Sequence, residues 1–428
     1  MSKKILYIFL LFISIKSVGQ RTTSSPYSFF GIGQEYRSQT VEQAGMGGIG
    51  LAFGNNYQLN LTNPAANADL RVATFTFGAA LNQLEISDAT SSQSEKTYSL
   101  SYFNLAFPLG SKAGFNFGIQ PTTNMGYSLV NIELDGAGSA ISATRFYGLG
   151  GTSRIYGAYG MYLAKGLSVG VEAGYSFGRI ESSVLNQRAG VYLGTNNREV
   201  TNVKGAGFKI GFMYKKVLEN KLVLHFGATA KMEENLTTTG TAHLYSLFLG
   251  SEGSESPRDT LSVSSINGTI NSPLKTGFGF GVGKNDKWYV GADYESQGAI
   301  NVQGALLNTG TTYKYGNSNR FSVGGFYLPK VNSLTSYWDR VTYRAGVRFE
   351  NTGLLVNGGG NSTGFTAIND FGISFGLGLP MKGLSNVNLG IEYGQKGTTA
   401  NNLIKENYFN FRLSLSLNDI WFQKREID

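Results

Sequence analysis

The chain has 428 residues, of which 58 are glycine and none is cysteine, and its formal net charge is +8. Glycine is about twice as frequent as the usual ~7%. Because glycine costs roughly 1 kcal/mol at a helical position, this composition, with only 15% charged residues, excludes a helical bundle or coiled coil. The absence of cysteine excludes a disulfide scaffold and a thiolate metal site. The charges are scattered and form no basic stripe, so no nucleic-acid partner is expected.

The first residues of the chain have the pattern of an export signal. Lys3 and Lys4 precede an apolar run over 5–15, and the small residues of 17–19 supply a cleavage site, which predicts a signal peptide over 1–19. The apolar run is too short to span a bilayer, which needs about 20 residues. No later stretch is apolar over eighteen consecutive residues. The mature protein is therefore expected either to dissolve in the periplasm or to form a barrel.

Residues 20–69 do not alternate as strands do, and we expect them to form a hatch or plug. Small residues over 44–52 are followed by Asn63, Pro64 and Ala65. Such a segment fits the lumen of a large barrel, which needs filling.

A dinucleotide site is the alternative interpretation of this segment. The run Gly45 to Gly50 matches G-x-G-x-x-G, and Asp69 follows 19 residues after Gly50. The motif needs a strand before it and a helix after it to present amides to phosphate. That context is missing, so close backbone packing is the preferred interpretation, and no cofactor is expected.

From residue 70 onward, apolar and small polar residues alternate with period two, which is typical of membrane barrel strands. In the last such segment Phe409, Phe411 and Leu413 share one face, while Ser414 and Ser416 share the other. The fold class predicted is all-β: a transmembrane antiparallel barrel of about 14 strands over 70–418. A soluble β-sandwich is the alternative, but it would carry more Lys and Glu on its surface. The strands are predicted near 70–85, 95–109, 112–134, 152–164, 166–181, 203–216, 220–234, 268–284, 286–301, 314–328, 340–352, 367–379, 385–396 and 406–418.

Short and long connections alternate, as in outer-membrane barrels with short periplasmic turns and long outer loops. Long polar stretches, at 182–202 and 235–267 among others, are interpreted as outer loops. The protein is therefore predicted in the outer membrane, with both termini and a tail over 419–428 in the periplasm. The connection at 328–339 is longer than the other predicted periplasmic turns, and is either a periplasmic excursion or a wrongly divided strand.

Two features of the predicted wall and lumen are candidate sites. Pro121 interrupts the third strand, and because proline lacks the ladder donor, the strand either kinks or ends there. The inward charges Glu172, Lys209, Lys231, Asp293, Glu295, Arg344, Arg348, Glu350, Glu392 and Arg412 nearly cancel. They are expected to pair across strands, for instance Glu392 with Arg412.

The sequence offers few candidate catalytic residues. His225 and His243 are the only histidines, so neither a metal cage nor a catalytic triad is expected. No serine lies close in sequence to a suitable base. We therefore expect no catalytic residue, no metal and no enzyme.

With Asn63, Pro64 and Ala65 just before the first strand, the chain resembles the FadL/TodX family of outer-membrane transporters for hydrophobic compounds. The resemblance implies passive uptake of long-chain fatty acids or aromatic hydrocarbons, with lateral release to the bilayer through a kinked third strand. A gate would form where 63–65 meet 121–123. Three arginines, Arg344, Arg348 and Arg412, are the candidates to hold a ligand carboxylate.

The start of the predicted mature chain points to a second function. The run over 25–33, beginning Ser-Pro-Tyr-Ser, looks like the beginning of many Bacteroidetes outer-membrane proteins. FadL-like barrels there also serve as PorV-type or plug-type components of type IX secretion. The alternative function is thus a non-transporting barrel that binds a secretion-system membrane protein. The expected partners are membrane lipids, a hydrophobic small molecule and, under the alternative, that protein.

Overall fold

The computed structural model describes residues 22–250, 254–304, 312–359, 364–381 and 383–420. Its described residues form a closed antiparallel barrel of fourteen strands, in which each strand pairs with the next and β14 pairs with β1. The predicted signal peptide and most of the predicted tail lie outside the described residues. The strands are β1 Ala73–Ser87, β2 Ser92–Leu109, β3 Ala113–Leu134, β4 Ala140–Ala164, β5 Leu167–Arg188, β6 Gly194–Val217, β7 Val223–Lys231 with Glu234–Leu249, β8 Glu255–Ser272 with Lys275–Lys284, β9 Trp288–Gln297 with Asn301–Gln303, β10 Tyr313–Tyr315 with Ser318–Tyr327, β11 Thr342–Asn357, β12 Phe365–Pro380, β13 Asn386–Gly397 and β14 Lys405–Asp419.

The alternation of each strand sorts its side chains between lipid and lumen. On β14, Phe409 and Leu413 are exposed on the outer face, whereas Ser414 and Ser416 are buried on the inner face. The predicted barrel, its strand number and the facing of this strand are confirmed. Within the described residues, no helix is long and apolar enough to cross a membrane.

The strands differ in length at one end of the barrel, where β5 to β8 extend furthest. The prediction that 182–202 and 235–267 are outer loops was wrong. Most of 182–202 and 235–267 is strand, because β5, β6, β7 and β8 continue past the predicted ends and stay paired. His243, expected in a loop, accordingly lies on β7. A ladder that rises out of lipid needs no apolar face, so the period-two signal fades while the backbone pairing persists. We call this the loop end and the opposite one the turn end.

Both ends of the barrel sequence lie at the turn end, since Ala73 pairs with Asp419. This agrees with the predicted even number of strands. The connection between Tyr327 and Thr342 contains a short 3-10 helix, Trp338–Arg340, and no strand, so it is an excursion at the turn end.

Residues 22–72, the N-terminal segment, fill the lumen. Its elements are a 3-10 helix Pro26–Phe29, a two-residue strand Gln34–Glu35, the helical turn α1 Val41–Ala44 and a 3-10 helix Pro64–Asp69. α1 begins with a capping box in which the side chains of Thr40 and Gln43 satisfy each other's backbone amides.

Inward glycines of the barrel make room for this segment. A Cβ at Gly227 would overlap the backbone of Leu51, and one at Gly346 would overlap Met46. Toward the loop end, Phe29 and Ile32 pack with Met125 and Tyr127 of β3 in an apolar cluster. Part of the glycine excess therefore reflects the close approach of two backbones inside the barrel.

Candidate functional site

The barrel ladder is broken between β2 and β3. The two strands pair only over Phe103–Leu109 and Ala113–Ile119, although β2 starts at Ser92 and β3 runs on to Leu134. The last pair, Phe103 with Ile119, lies two residues before Pro121, which has no amide hydrogen to donate. We call this unpaired stretch the portal. The sequence left two interpretations of Pro121, a kink within the strand or the end of the strand. In the structure β3 continues past Pro121, but its pairing with β2 stops just before it.

A bulge at Pro121 reverses which residues of β3 face the lumen. Ile119 is exposed on the outer face, whereas Met125 and Tyr127 beyond the bulge are buried inside. Opposite the bulge, Gly151 of β4 has φ +145°, and a Cβ there would lie 2.2 Å from the carbonyl oxygen of Thr123. The distortion of the wall therefore depends on glycine in the neighbouring strand.

The strand Gln34–Glu35, which we call the hatch strand, covers the open edge of β3. Gln34 pairs with Asn124 and Glu35 pairs with Thr123, and the amide of Tyr36 donates to the carbonyl oxygen of Thr122 at 2.8 Å. The chain thus supplies its own strand where β2 has parted from β3.

The hatch strand is also held from the lumen side by charges. The Lys275 Nζ lies 2.9 Å from the Glu35 Oε1, and Arg37 forms ion pairs with Glu350 and Asp370. The Lys275 ammonium holds the pKa of the Glu35 carboxyl below its usual range, so Glu35 is charged at neutral pH. These residues were missed from sequence. A signal was present, because Glu35, Arg37 and Glu42 are the charged residues between 22 and 68.

Arg37 docks onto a belt of paired charges on the inner wall from β4 to β14. On its β11 to β14 side, Arg348 lies 3.1 Å from Asp370 and 2.7 Å from Glu392, and Glu392 lies 2.6 Å from Arg412. The predicted pair of Glu392 with Arg412 is therefore present. This charge belt consists of Arg154, Glu172, Lys209, Lys231, Glu234, Lys275, Glu295, Arg320, Arg348, Glu350, Asp370, Glu392 and Arg412.

The three predicted carboxylate-binding arginines have different surroundings. Arg348 and Arg412 are already bound to carboxylates of the belt. Arg344 lies nearer the turn end, buried beside Gly45, and donates to the Asn388 Oδ1 at 3.3 Å. Among the described residues it has no ion pair, and its Nε has no hydrogen-bond partner. It is therefore the one predicted arginine without an ion pair there, although the buried Glu42 carboxylate accepts a hydrogen bond from the same Asn388 side chain.

The predicted meeting of 63–65 with 121–123 does not occur. The Asn63 side chain caps the following 3-10 helix and donates to the carbonyl oxygen of Phe212 on β6 at 3.1 Å. Pro64 packs on Gly160 of β4, whereas Pro121 pairs with Ser153, seven residues or about 23 Å along the same strand. Sequence proximity to the first strand placed Asn-Pro-Ala near the barrel wall, but the hatch strand is the part that reaches the portal.

The glycine run over 45–50 serves packing. The amides of Gly50 and Leu51 donate to the Asp293 Oδ2 at 2.7 and 2.8 Å, and the Gly47 amide donates to Ser374. Its amides therefore bind groups of the barrel, and the strand and long helix of a dinucleotide site are absent around it.

A cavity of about 520 Å³ lies between the N-terminal segment and the wall at the turn end, bordered by Asn55, Asp69 and Lys215. Two further cavities lie between the segment and the wall. One, of about 150 Å³, lies behind the portal and is bordered by Thr97, Ser101 and Asn124. The other, of about 230 Å³, is bordered by the charge belt and the hatch strand. Hydroxyl, amide and charged groups line much of both. No cluster of His, Asp and Glu among the described residues is arranged to hold a metal.

Comparisons with known proteins agree with this architecture. The sequence model of the BamG family matches residues 1–428. A FadL homologue of Pseudomonas aeruginosa is 14% identical with a TM-score of 0.60 (91% of this chain, 100% of the other), and the toluene transporter TodX of Pseudomonas putida is 15% identical with 0.59 (91% and 100%). The monoaromatic hydrocarbon channel CymD is 15% identical with 0.56 (89% and 97%). No curated protein matches significantly.

At these identities the solved structures show the fold alone. The predicted likeness to FadL and TodX is confirmed at that level. None of the comparisons points to a secretion-system partner.

Proposed function

The chain belongs to the BamG family, and we propose that it is an outer-membrane channel for passive uptake of hydrophobic small molecules, which leave the lumen sideways through the portal. The observation that carries this proposal is the loss of β2–β3 pairing beyond Phe103 and Ile119. Unpaired backbone groups facing lipid cost several kcal/mol each. A wall that keeps such a break, with a removable strand over it, is suited to opening there.

The lips of the portal suit an apolar solute. Tyr98 and Leu100 on β2, and Val130 and Ile132 on β3, are more than half exposed on the outer side. A solute that reaches this edge gains about 25 cal/mol for each Å² of apolar surface that it buries in lipid, so release needs no other energy source. The step that opens the portal is withdrawal of the hatch strand from Thr123 and Asn124.

The lumen charges favour an uncharged ligand over a fatty acid. Arg348 and Arg412 are ion-paired within the belt, both with Glu392 and Arg348 also with Asp370, and Arg344 lies nearer the turn end than the belt and the portal. A fatty-acid carboxylate that bound Arg348 or Arg412 would have to break a buried ion pair, which is costly. Compact aromatic hydrocarbons, such as the ligands named for CymD and TodX, fit this lumen better.

A reversible lock tests this function, and the absence of native cysteine makes it clean. Paired residues of adjacent strands are close enough for a disulfide, so Gln34→Cys with Asn124→Cys should fasten the hatch strand to β3. We expect toluene uptake by whole cells to fall at least tenfold in the oxidised variant and to recover on reduction. Ile119→Cys with Ile155→Cys, across the intact β3–β4 ladder, is the matched control and should transport equally in both states.

A barrel that docks another membrane protein is the second candidate, favoured by the filled lumen. Phe29 and Ile32 occupy the apolar space at the loop end, and the belt carries paired charges. Under this function the oxidised lock leaves cell growth and copurifying membrane proteins unchanged, and the wild type transports no toluene. That outcome would overturn the uptake proposal.

A further inference from the structure

The excursion at the turn end, residues 328–341, is an unusually apolar surface feature. Leu334 is fully exposed, and Trp338, Val331 and Tyr337 are each at least 42% exposed. The excursion is nevertheless well structured: the Lys330 amide donates to the carbonyl oxygen of Asp339 at 2.8 Å, and the Ser333 hydroxyl donates to the Asp339 carboxylate.

The excursion lies against the outer side of the barrel. Tyr343 points outward from β11, and its hydroxyl donates to the carbonyl oxygen of Trp338 at 3.2 Å. The Tyr337 hydroxyl reaches the carbonyl oxygen of Pro380 at the same distance. The exposed Trp338 and Leu334 are thus held at the rim of the lipid-facing wall, where tryptophan and tyrosine gather in membrane proteins.

A groove in that wall begins beside the excursion. Its floor is Gly325 and Ala345, paired across β10 and β11, and the larger Val290 and Phe375 border it on β9 and β12. Its volume is about 770 Å³ and its lining is almost wholly apolar. The groove can accommodate an acyl chain.

Basic side chains stand at the turn end of the groove. Lys287, Lys330 and Arg340 are exposed, and none of them has an ion pair among the described residues. The Arg340 guanidinium lies over the Tyr337 ring, 5.4 Å from its centroid. The Lys287 carbonyl oxygen accepts from the Leu328 amide, which joins this turn to the excursion. Asp286 and Asp339 are the nearby acids, and Asp339 already accepts from Ser333.

We propose that this region is a binding site for an anionic phospholipid. The phosphodiester contacts Lys287, Lys330 and Arg340, and one acyl chain lies in the groove between Val290 and Phe375. Trp338 and Leu334 enter the interface beside it. The arrangement of apolar groove, aromatic rim and cations without a carboxylate partner matches the three parts of such a lipid, and it is independent of the lumen and its transport role.

Native mass spectrometry of the purified full chain with added phosphatidylglycerol tests the proposal. Each basic residue near a membrane surface contributes about fivefold in affinity for anionic lipid. Lys330→Gln with Arg340→Gln should therefore bind about 25-fold more weakly, and Ala345→Trp, which fills the groove, should also release the lipid. Lys112→Gln with Lys165→Gln, on two other turns, is the matched control and should bind as the wild type does. A difference in gel mobility between unheated and heated samples shows that each variant is folded.

Three outcomes would overturn the lipid site. Equal loss in the control pair would mean diffuse charge attraction, and equal binding of phosphatidylethanolamine by the wild type would remove the role of the cations. Unchanged lipid binding in Lys330→Gln with Arg340→Gln, together with loss of a copurifying membrane protein, would assign the groove to a protein partner.

Discussion

The two sides of the barrel hold the N-terminal segment in different ways. From β4 to β14 the ladder is continuous and the inner wall carries the charge belt. At the portal the ladder is broken, and the inner wall offers uncharged groups such as Thr97, Ser101 and Asn124. Buried charges need partners that stay in place, because removing a charge from water is costly. The difference indicates that the belt fixes the segment to one wall and leaves the opposite wall free to open.

The largest expected effect comes from breaking the belt. Glu392→Gln removes the carboxylate that Arg412 pairs with and one of those that neutralise Arg348. Leaving buried charge uncompensated should lower the free energy of unfolding by about 3 kcal/mol, measured by urea unfolding in detergent. Adding Arg412→Gln should restore part of the loss. If Glu392→Gln is as stable as the wild type, the belt is not what holds this wall.

A smaller effect is expected from adding a side chain at the glycine opposite the bulge in β3. Gly151→Ala places a Cβ against Thr123 at a positive φ, which should cost about 2 kcal/mol. Gly157→Ala, on the same strand, is the control, because the nearest atom to its Cβ would lie at 3.5 Å. Equal unfolding midpoints for the two variants would mean that the bulge at Pro121 does not require glycine at position 151.

The smallest effect is expected from loosening the hatch strand alone. Arg37→Gln removes its ion pairs to Glu350 and Asp370 while leaving the barrel ladder intact. Asn124→Cys provides a reporter under the hatch strand, and its maleimide labelling should become about tenfold faster, since local opening follows the contacts that hold a segment. Arg71→Gln, at the turn end of the segment, should leave the rate unchanged. An unchanged rate in Arg37→Gln would separate the belt from control of the portal.

The sequence by itself determined the barrel, the approximate position of its strands and the face that each inward charge takes. These follow from period-two alternation, because a strand that separates lipid from lumen must place its side chains by parity. Parity and neighbouring strand order were also enough to predict the pair of Glu392 with Arg412. The interruption at Pro121 was visible because proline has a single, local consequence for a ladder.

Only the tertiary structure decided which parts of the N-terminal segment meet which wall. Pro64 packs against β4, Asn63 contacts β6, and the hatch strand lies at the portal. Nothing in the local composition of these segments indicates which strand each of them contacts. The extensions of β5 to β8 toward the loop end were likewise missed, since polar residues on both faces remove the alternation while backbone pairing continues. Local sequence encodes the side of a strand on which a residue lies. The partner that it meets across the lumen depends on how the whole barrel closes around the segment.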